Sequence, residues 1–183
     1  MPRYTLKGHL PLAGGLLKYA VHQGFDLAAA HELRPDHSLM VPLHFLNPSM
    51  ELPVVPLYTN GFASPLPLAG RCLALGRTVA GFIDAWEGSE RVALIASGAL
   101  AGDVGGPFRG WTDTEWVDTV SSHLREGQYE TLAQRATEER IARAGNNSGE
   151  LLNWIMVAGA VGERRPEFVE VDDGSGFAVW RCE

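Results

Sequence analysis

Cysteine is almost missing from this chain, with only Cys72 and Cys182 among 183 residues. Two cysteines without a C-x-x-C spacing make no zinc knuckle, dithiol redox motif or disulfide framework. They suit a protein kept reduced in the cytoplasm, with Cys72 as a small core residue. Positive charge is also scarce. Fifteen Lys and Arg face 22 Asp and Glu, for a net charge of −7. That balance argues against nonspecific binding to nucleic acid or to an anionic membrane. No apolar run is long enough to span a bilayer, and no basic segment leading into an apolar stretch and a cleavage site opens the chain. Repeats and low-complexity linkers are missing too. What remains is ordinary for a globular protein, at 45% hydrophobic and 20% charged residues. The expectation is one domain over residues 1–183 with a real core.

Apolar spacing then predicts the elements. Leu12 to His22 reads as a helix that stops at Gly24. Phe25–Leu33, Leu39–Leu46 and Pro53–Tyr58 are strand candidates, the second bent or at an edge because of Pro42. Leu68 to Trp86 carries Leu68, Cys72, Leu75, Val79, Phe82 and Ile83 at helical spacing. Val92-Ala93-Leu94-Ile95 lies within an expected buried interior strand, Arg91–Ser97. Thr114–Glu126, Tyr129–Ala144 and Glu150–Val161 read as helices, and Phe168–Val171 with Gly176–Trp180 as a closing hairpin. Alternating strands and helices indicate an α/β domain.

Several stretches carry candidate chemistry. In "RPDHSLMVPLHFL", Asp36 can cap a turn with His37 on the surface, or His37 can be a metal ligand at a strand entrance. His44 reads as one face of that strand, and His9, His22, His31 and His123 read as solvated. In "GNNSGELLNWIMVAGA", Glu150 stands in the first turn of an apolar helix, with Asn147 or Ser148 as cap. A carboxylate there complements the helix dipole; kept ionised, it can also ligate a metal. In "VVPLYTNGFASPLPLAGRCLALGR", Asn60 serves either a turn or a pocket wall. "ASGALAGDVGGP" follows the Arg91–Ser97 strand as an active-site loop would, yet between Ala99 and Gly106 only Asp103 is ionisable. Ser97 is not in a G-x-S-x-G elbow, which discounts a serine hydrolase.

Four segments in order resemble the class III extradiol ring-cleavage dioxygenases, the family of the catalytic B subunit of protocatechuate 4,5-dioxygenase. They are "DHSLMVPLHFL", "VVPLYTNGFASPLPLAGRCLALGR", "RVALIASGALAGDVGGP" and "GELLNWIMVAGA". The resemblance implies a single α/β domain with a mixed central sheet flanked by helices. It implies Fe(II) held by two histidines and a glutamate, a catechol-type aromatic substrate and O2. His37 then matches one histidine ligand, Glu150 the glutamate, and Asn60 the pocket-lining stretch.

Two departures accompany it. The family's other histidine ligand lies in an N-terminal strand that has no counterpart after Met1. The family's strand-end motif, Ser-Gly-Gly-Leu-Ser-His-Asp, stands here as Ser97-Gly98-Ala99-Leu100-Ala101-Gly102-Asp103. Gly102 thus takes the place of the histidine base, and Asp103 is expected to cap the Gly102–Gly105 turn. Three readings follow: an extradiol dioxygenase of weak or no activity, a non-catalytic homologue that binds an aromatic ligand or a partner subunit, or an inactive remnant. A homo- or hetero-oligomer is expected, because an unpaired apolar strand edge invites a partner chain.

Overall fold

The computed structural model describes residues 4–182. Helices dominate it: α1 (Leu10–His22), α2 (His37–Leu46), α3 (Ala69–Asp84), α4 (Thr114–Glu126), α5 (Tyr129–Arg135), α6 (Glu138–Arg143) and α7 (Leu151–Val161). A 3-10 turn, Ser148–Glu150, leads into α7. The strands β1 (Phe168–Asp172) and β2 (Ser175–Val179) form an antiparallel hairpin, the only sheet among the described residues.

The core is built on α3 against α7. Their apolar faces meet, and packing buries Ala69, Cys72 and Leu73 with Leu151, Leu152, Ile155 and Ala158. Two glycines set the spacing. A Cβ on Gly76 would overlap the Met156 carbonyl oxygen, and one on Gly159 would overlap that of Leu73. Cys72 lies in this core as expected, and burial pushes its thiol up to about 11. α1 and α5 pack on α3, α5 also touches α4 and α7, and the hairpin leans on α4.

Local chemistry accounts for several boundaries. The Asp113 carboxylate accepts from the Trp116 N–H at 3.0 Å to start α4, and Gly127, at φ 71°, ends it. The hairpin turns at Asp173 and Gly174, with φ of 44° and 79°, the left-handed pair that a tight turn requires. The continuous helix expected over Tyr129–Ala144 is instead two, because Thr137 adopts extended backbone and caps α6 through the Arg140 N–H at 3.1 Å.

The closing hairpin forms as expected, but the four other strand expectations fail, for separate reasons. Leu39–Leu46 belongs to α2, where Leu39, Met40 and Leu43 share a helical face and only Leu43 is fully buried. Phe25–Leu33 is irregular, and Phe25 is buried beneath Arg71, whose guanidinium lies 4.6 Å from the ring centre. Pro53–Tyr58 contributes only a parallel bridge from Val54 to Gly8, since Pro53 and Pro56 have no N–H to donate. Arg91–Ser97 is neither interior nor paired: Leu94 is 40% and Ile95 51% exposed. The expected mixed central sheet is therefore not formed among the described residues.

Candidate functional site

The glycine-rich loop is held mainly through its backbone, and the entry to α7 does much of the holding. Asn153 Nδ2 donates to the Ser97 carbonyl at 2.9 Å, and Trp154 Nε1 to the Gly98 carbonyl at 2.8 Å. The Ala99 N–H donates to Glu150 Oε2 at 2.6 Å. The Leu100 N–H reaches the Gly174 carbonyl at 2.7 Å, and the Gly102 N–H that of Ala144 at 2.7 Å. The Gly102 carbonyl accepts from the Asn147 N–H at 3.3 Å. A loop with few reactive side chains is thus fixed through its own peptide groups.

Glu150 closes the 3-10 turn before α7, with no side-chain cap from Asn147 or Ser148. Its carboxylate faces Gly98, where a Cβ would overlap the Glu150 side chain. The expected caps are orphans instead: Asn147 Oδ1 and Ser148 Oγ are buried with no hydrogen-bond partner. Gly102 has φ 117°, and a Cβ there would sit 3.3 Å from the Trp111 carbonyl oxygen and 3.5 Å from Thr112 Oγ1. A side chain at that position would start out toward Trp111 and Thr112, while Glu150 lies against Gly98 and Ala99. Asp103 does not cap its own turn; its carboxylate accepts from the Asn146 N–H at 2.8 Å, and Asn146 Oδ1 accepts from the Val104 N–H at 2.9 Å.

His37 is the first residue of α2 and is exposed. Asp36 caps that helix through the Ser38 N–H at 3.0 Å. The Ser38 hydroxyl also donates to this carboxylate and, as the largest cause, holds it below the usual range. Tyr58 lies against Asp36; burial first, then the Asp36 charge, pushes its hydroxyl upward. Three residues on, a Cβ at Gly61 would meet the Gly149 carbonyl at 3.0 Å. His37 and Glu150 therefore neighbour residues that border one short segment, whose three residue steps reach at most about 10 Å plus the length of the tyrosine side chain.

Asn60 spends its amide on its own turn. It donates to the Ala63 and Pro65 carbonyls at 2.6 and 3.3 Å and accepts from the Phe62 and Ala63 N–H groups at 3.2 and 3.0 Å.

The other histidines differ from expectation in two places. His9 is not solvated: Nδ1 accepts from the Leu12 N–H at 3.1 Å and caps α1, leaving the proton on Nε2, 3.3 Å from Glu90. His44 sits on α2 rather than a strand, with Nδ1 2.7 Å from the Tyr4 hydroxyl. Among the described residues no three His, Cys, Asp or Glu side chains gather as a metal-ligand set. A two-histidine, one-carboxylate triad therefore does not fit the donors as they stand.

Sequence reading missed Asn146, Asn153 and Trp154, the side chains that anchor the loop. A signal existed. Asn153 is a polar residue inside the apolar run of α7, and such a residue needs a partner when it turns inward.

Residues 1–174 match the family described as the catalytic LigB subunit of aromatic ring-opening dioxygenase. The chain is 24% identical over 178 residues to gallate dioxygenase of Pseudomonas putida, covering 94% of this chain and 52% of that protein. It is 33% identical over 225 residues to the 2,3-dihydroxyphenylpropionate/2,3-dihydroxicinnamic acid 1,2-dioxygenases of Klebsiella pneumoniae and Escherichia coli, covering 96% of this chain and 67% of theirs. The chain thus spans between half and two thirds of the length of these relatives. The second alignment is longer than the 183-residue chain itself, so those relatives carry residues between the matched segments that this chain lacks.

Proposed function

The chain belongs to the family of catalytic LigB subunits of aromatic ring-opening dioxygenases, and we propose that it acts on a catechol-type aromatic and O2 in extradiol ring cleavage, with low or no turnover as a lone chain. The observation that carries this is the loop Ser97–Gly102, tied to Glu150 through the Ala99 N–H. It stands where the resemblance puts the catalytic loop, beside the residue matched to the family's glutamate. The proposed cofactor is Fe(II), with His37 and Glu150 as two donors and Asn60 on the substrate side. No helix among the described residues is long and apolar enough to cross a membrane. Both described cysteines are unpaired, which suits the cytoplasm.

A facial triad takes a third protein donor. His9 has both ring nitrogens engaged, by the Leu12 N–H and Glu90, and His44 has Nδ1 on the Tyr4 hydroxyl. The donors among the described residues therefore do not complete an iron site for ring opening. What the chain's own groups do is narrower. Glu150 keeps one carboxylate oxygen on the loop backbone and has the other available, and Gly102 supplies no proton transfer. General acid–base groups contribute about a hundred- to ten-thousand-fold in rate.

Anaerobic loading with ferrous iron, dialysis and metal analysis test this directly, followed by addition of a catechol in air and absorbance of the yellow ring-opened product. Weak, sub-stoichiometric iron and slow or undetectable product are expected. Tight stoichiometric iron, or rates typical of enzymes, would overturn the reading of the donors. The incomplete donor set also favours a second reading, a non-catalytic homologue that binds an aromatic ligand. Calorimetric binding of a catechol without oxygen consumption would select it.

A further inference from the structure

We infer that Trp154 is a positioning residue for Glu150, acting through a single peptide group, the one that joins Gly98 to Ala99. The Gly98 carbonyl accepts from Trp154 Nε1 at 2.8 Å, and the Ala99 N–H donates to Glu150 Oε2 at 2.6 Å. Both atoms belong to one planar unit, and in a trans peptide they point in opposite directions. A continuous chain of hydrogen bonds therefore runs from the indole through the peptide to the carboxylate. The inference rests on the proposed role of Glu150 as the residue that meets the ligand.

The helix supplies the spacing. Glu150 caps α7 and already has helical backbone, with φ −65° and ψ −19°. Trp154 follows four residues later, so the two side chains lie on one face, one above the other. Glycine at position 98 lets the peptide approach that face. Its φ is 145°, and a Cβ there would overlap the Glu150 Cβ.

A buried indole N–H needs some acceptor, and Trp154 is only 6% exposed. Packing alone asks no more than that. Here the other end of the acceptor holds an anion. Hydrogen bonds in series polarise one another, by roughly 10–30% per bond, so the indole strengthens the grip on the carboxylate. Asn153 supplies the contrast. Its Nδ2 bonds the Ser97 carbonyl at 2.9 Å, which anchors the same loop through the neighbouring peptide and stays outside the chain to Glu150. With Oε2 held on the loop, Oε1 is the oxygen that a hydroxyl of a catechol-type ring meets. Without the indole the carboxylate turns more freely about its terminal torsion, and both oxygens then compete for the Ala99 N–H and the ligand.

The Ala99 amide proton reads this chain directly, because a short hydrogen bond to a carboxylate moves an amide proton downfield. In the ligand-free, isotope-labelled full chain it should be the most downfield amide proton of the loop. Trp154→Phe and Glu150→Gln should both move it upfield. Asn153→Ala, which loosens the loop without touching the chain, should leave it in place. If Trp154→Phe does not fold, the Trp154 indole is replaced by benzothiophene, which keeps the shape and lacks the N–H. An Ala99 proton left unmoved in the folded Trp154 variant would overturn the inference, as would an equal shift in Asn153→Ala. Anaerobic calorimetry with catechol reads the ligand side. The Trp154 variant should bind about fivefold more weakly, the factor for one ordinary hydrogen bond, and equal affinity would also overturn the inference. If the native chain binds no catechol, the proposed function falls, while the Ala99 proton still decides whether Trp154 positions Glu150.

Discussion

Helix α7 and the segment Arg91–Ser97 are similarly apolar, yet α7 is buried against α3 while Arg91–Ser97 lies open to solvent. The difference is in the backbone. A helix satisfies its own N–H and C=O groups and needs only one face covered. A strand must find its hydrogen bonds in a neighbour, and apolar side chains cannot substitute for that neighbour. The cost of disturbing each region should follow the same division.

The largest expected effect is at the helix contact. Gly159→Ala puts a methyl group into the Leu73 carbonyl, so the helices must separate. A loss of about 3 kcal/mol is expected, the upper end of the overpacking range, measured by urea denaturation. A shift under about 0.5 kcal/mol would mean that the glycine contact does not set the helix spacing.

Next comes the loop that links the two regions. Gly102→Ala forces a side chain into φ 117°, and about 1–3 kcal/mol should be lost. Trp154→Phe removes the donor to the Gly98 carbonyl and should cost about 1 kcal/mol. It should also speed amide exchange of residues 98–102. Unchanged exchange would show that α7 does not hold the loop.

Smaller still is the cap of α2. Asp36→Ala should cost about 1 kcal/mol. The native carboxyl lies below its ordinary value of 3.8. Its contribution is therefore complete above the unfolded value and fades as pH falls through the lower folded one. Amides of residues 39–46 should lose protection below about pH 4 while α3 and α7 keep theirs. Simultaneous loss throughout would merge α2 with the core. The smallest effect is at Phe45, 75% exposed. Phe45→Ser should stay within about 0.5 kcal/mol, and a larger loss would reveal a hidden partner for α2.

Helix positions were readable where apolar spacing and capping agreed. In α3 the spacing of Cys72, Val79 and Phe82 marked the buried side, and the helix read over Thr114–Glu126 is α4 with the same bounds. Leu39–Leu46 misled because, over so short a span, apolar residues at helical spacing also fit a strand that alternates. The site was legible in part. Glu150 was found, but its partner is a backbone N–H, which no side-chain pattern records. Asn60 and Asp103 were found as polar turn residues, yet which groups they bond depends on how the chain returns.

By itself the sequence determined the local elements: α1, α3, α4, α7 and the hairpin. Their hydrogen bonds close within a few residues, so composition and spacing suffice. Tertiary structure decided that Glu150 holds the loop and that Arg91–Ser97 stays unpaired. Each of these depends on which distant segment lies alongside, and a strand without a neighbour has no way to complete its own bonds.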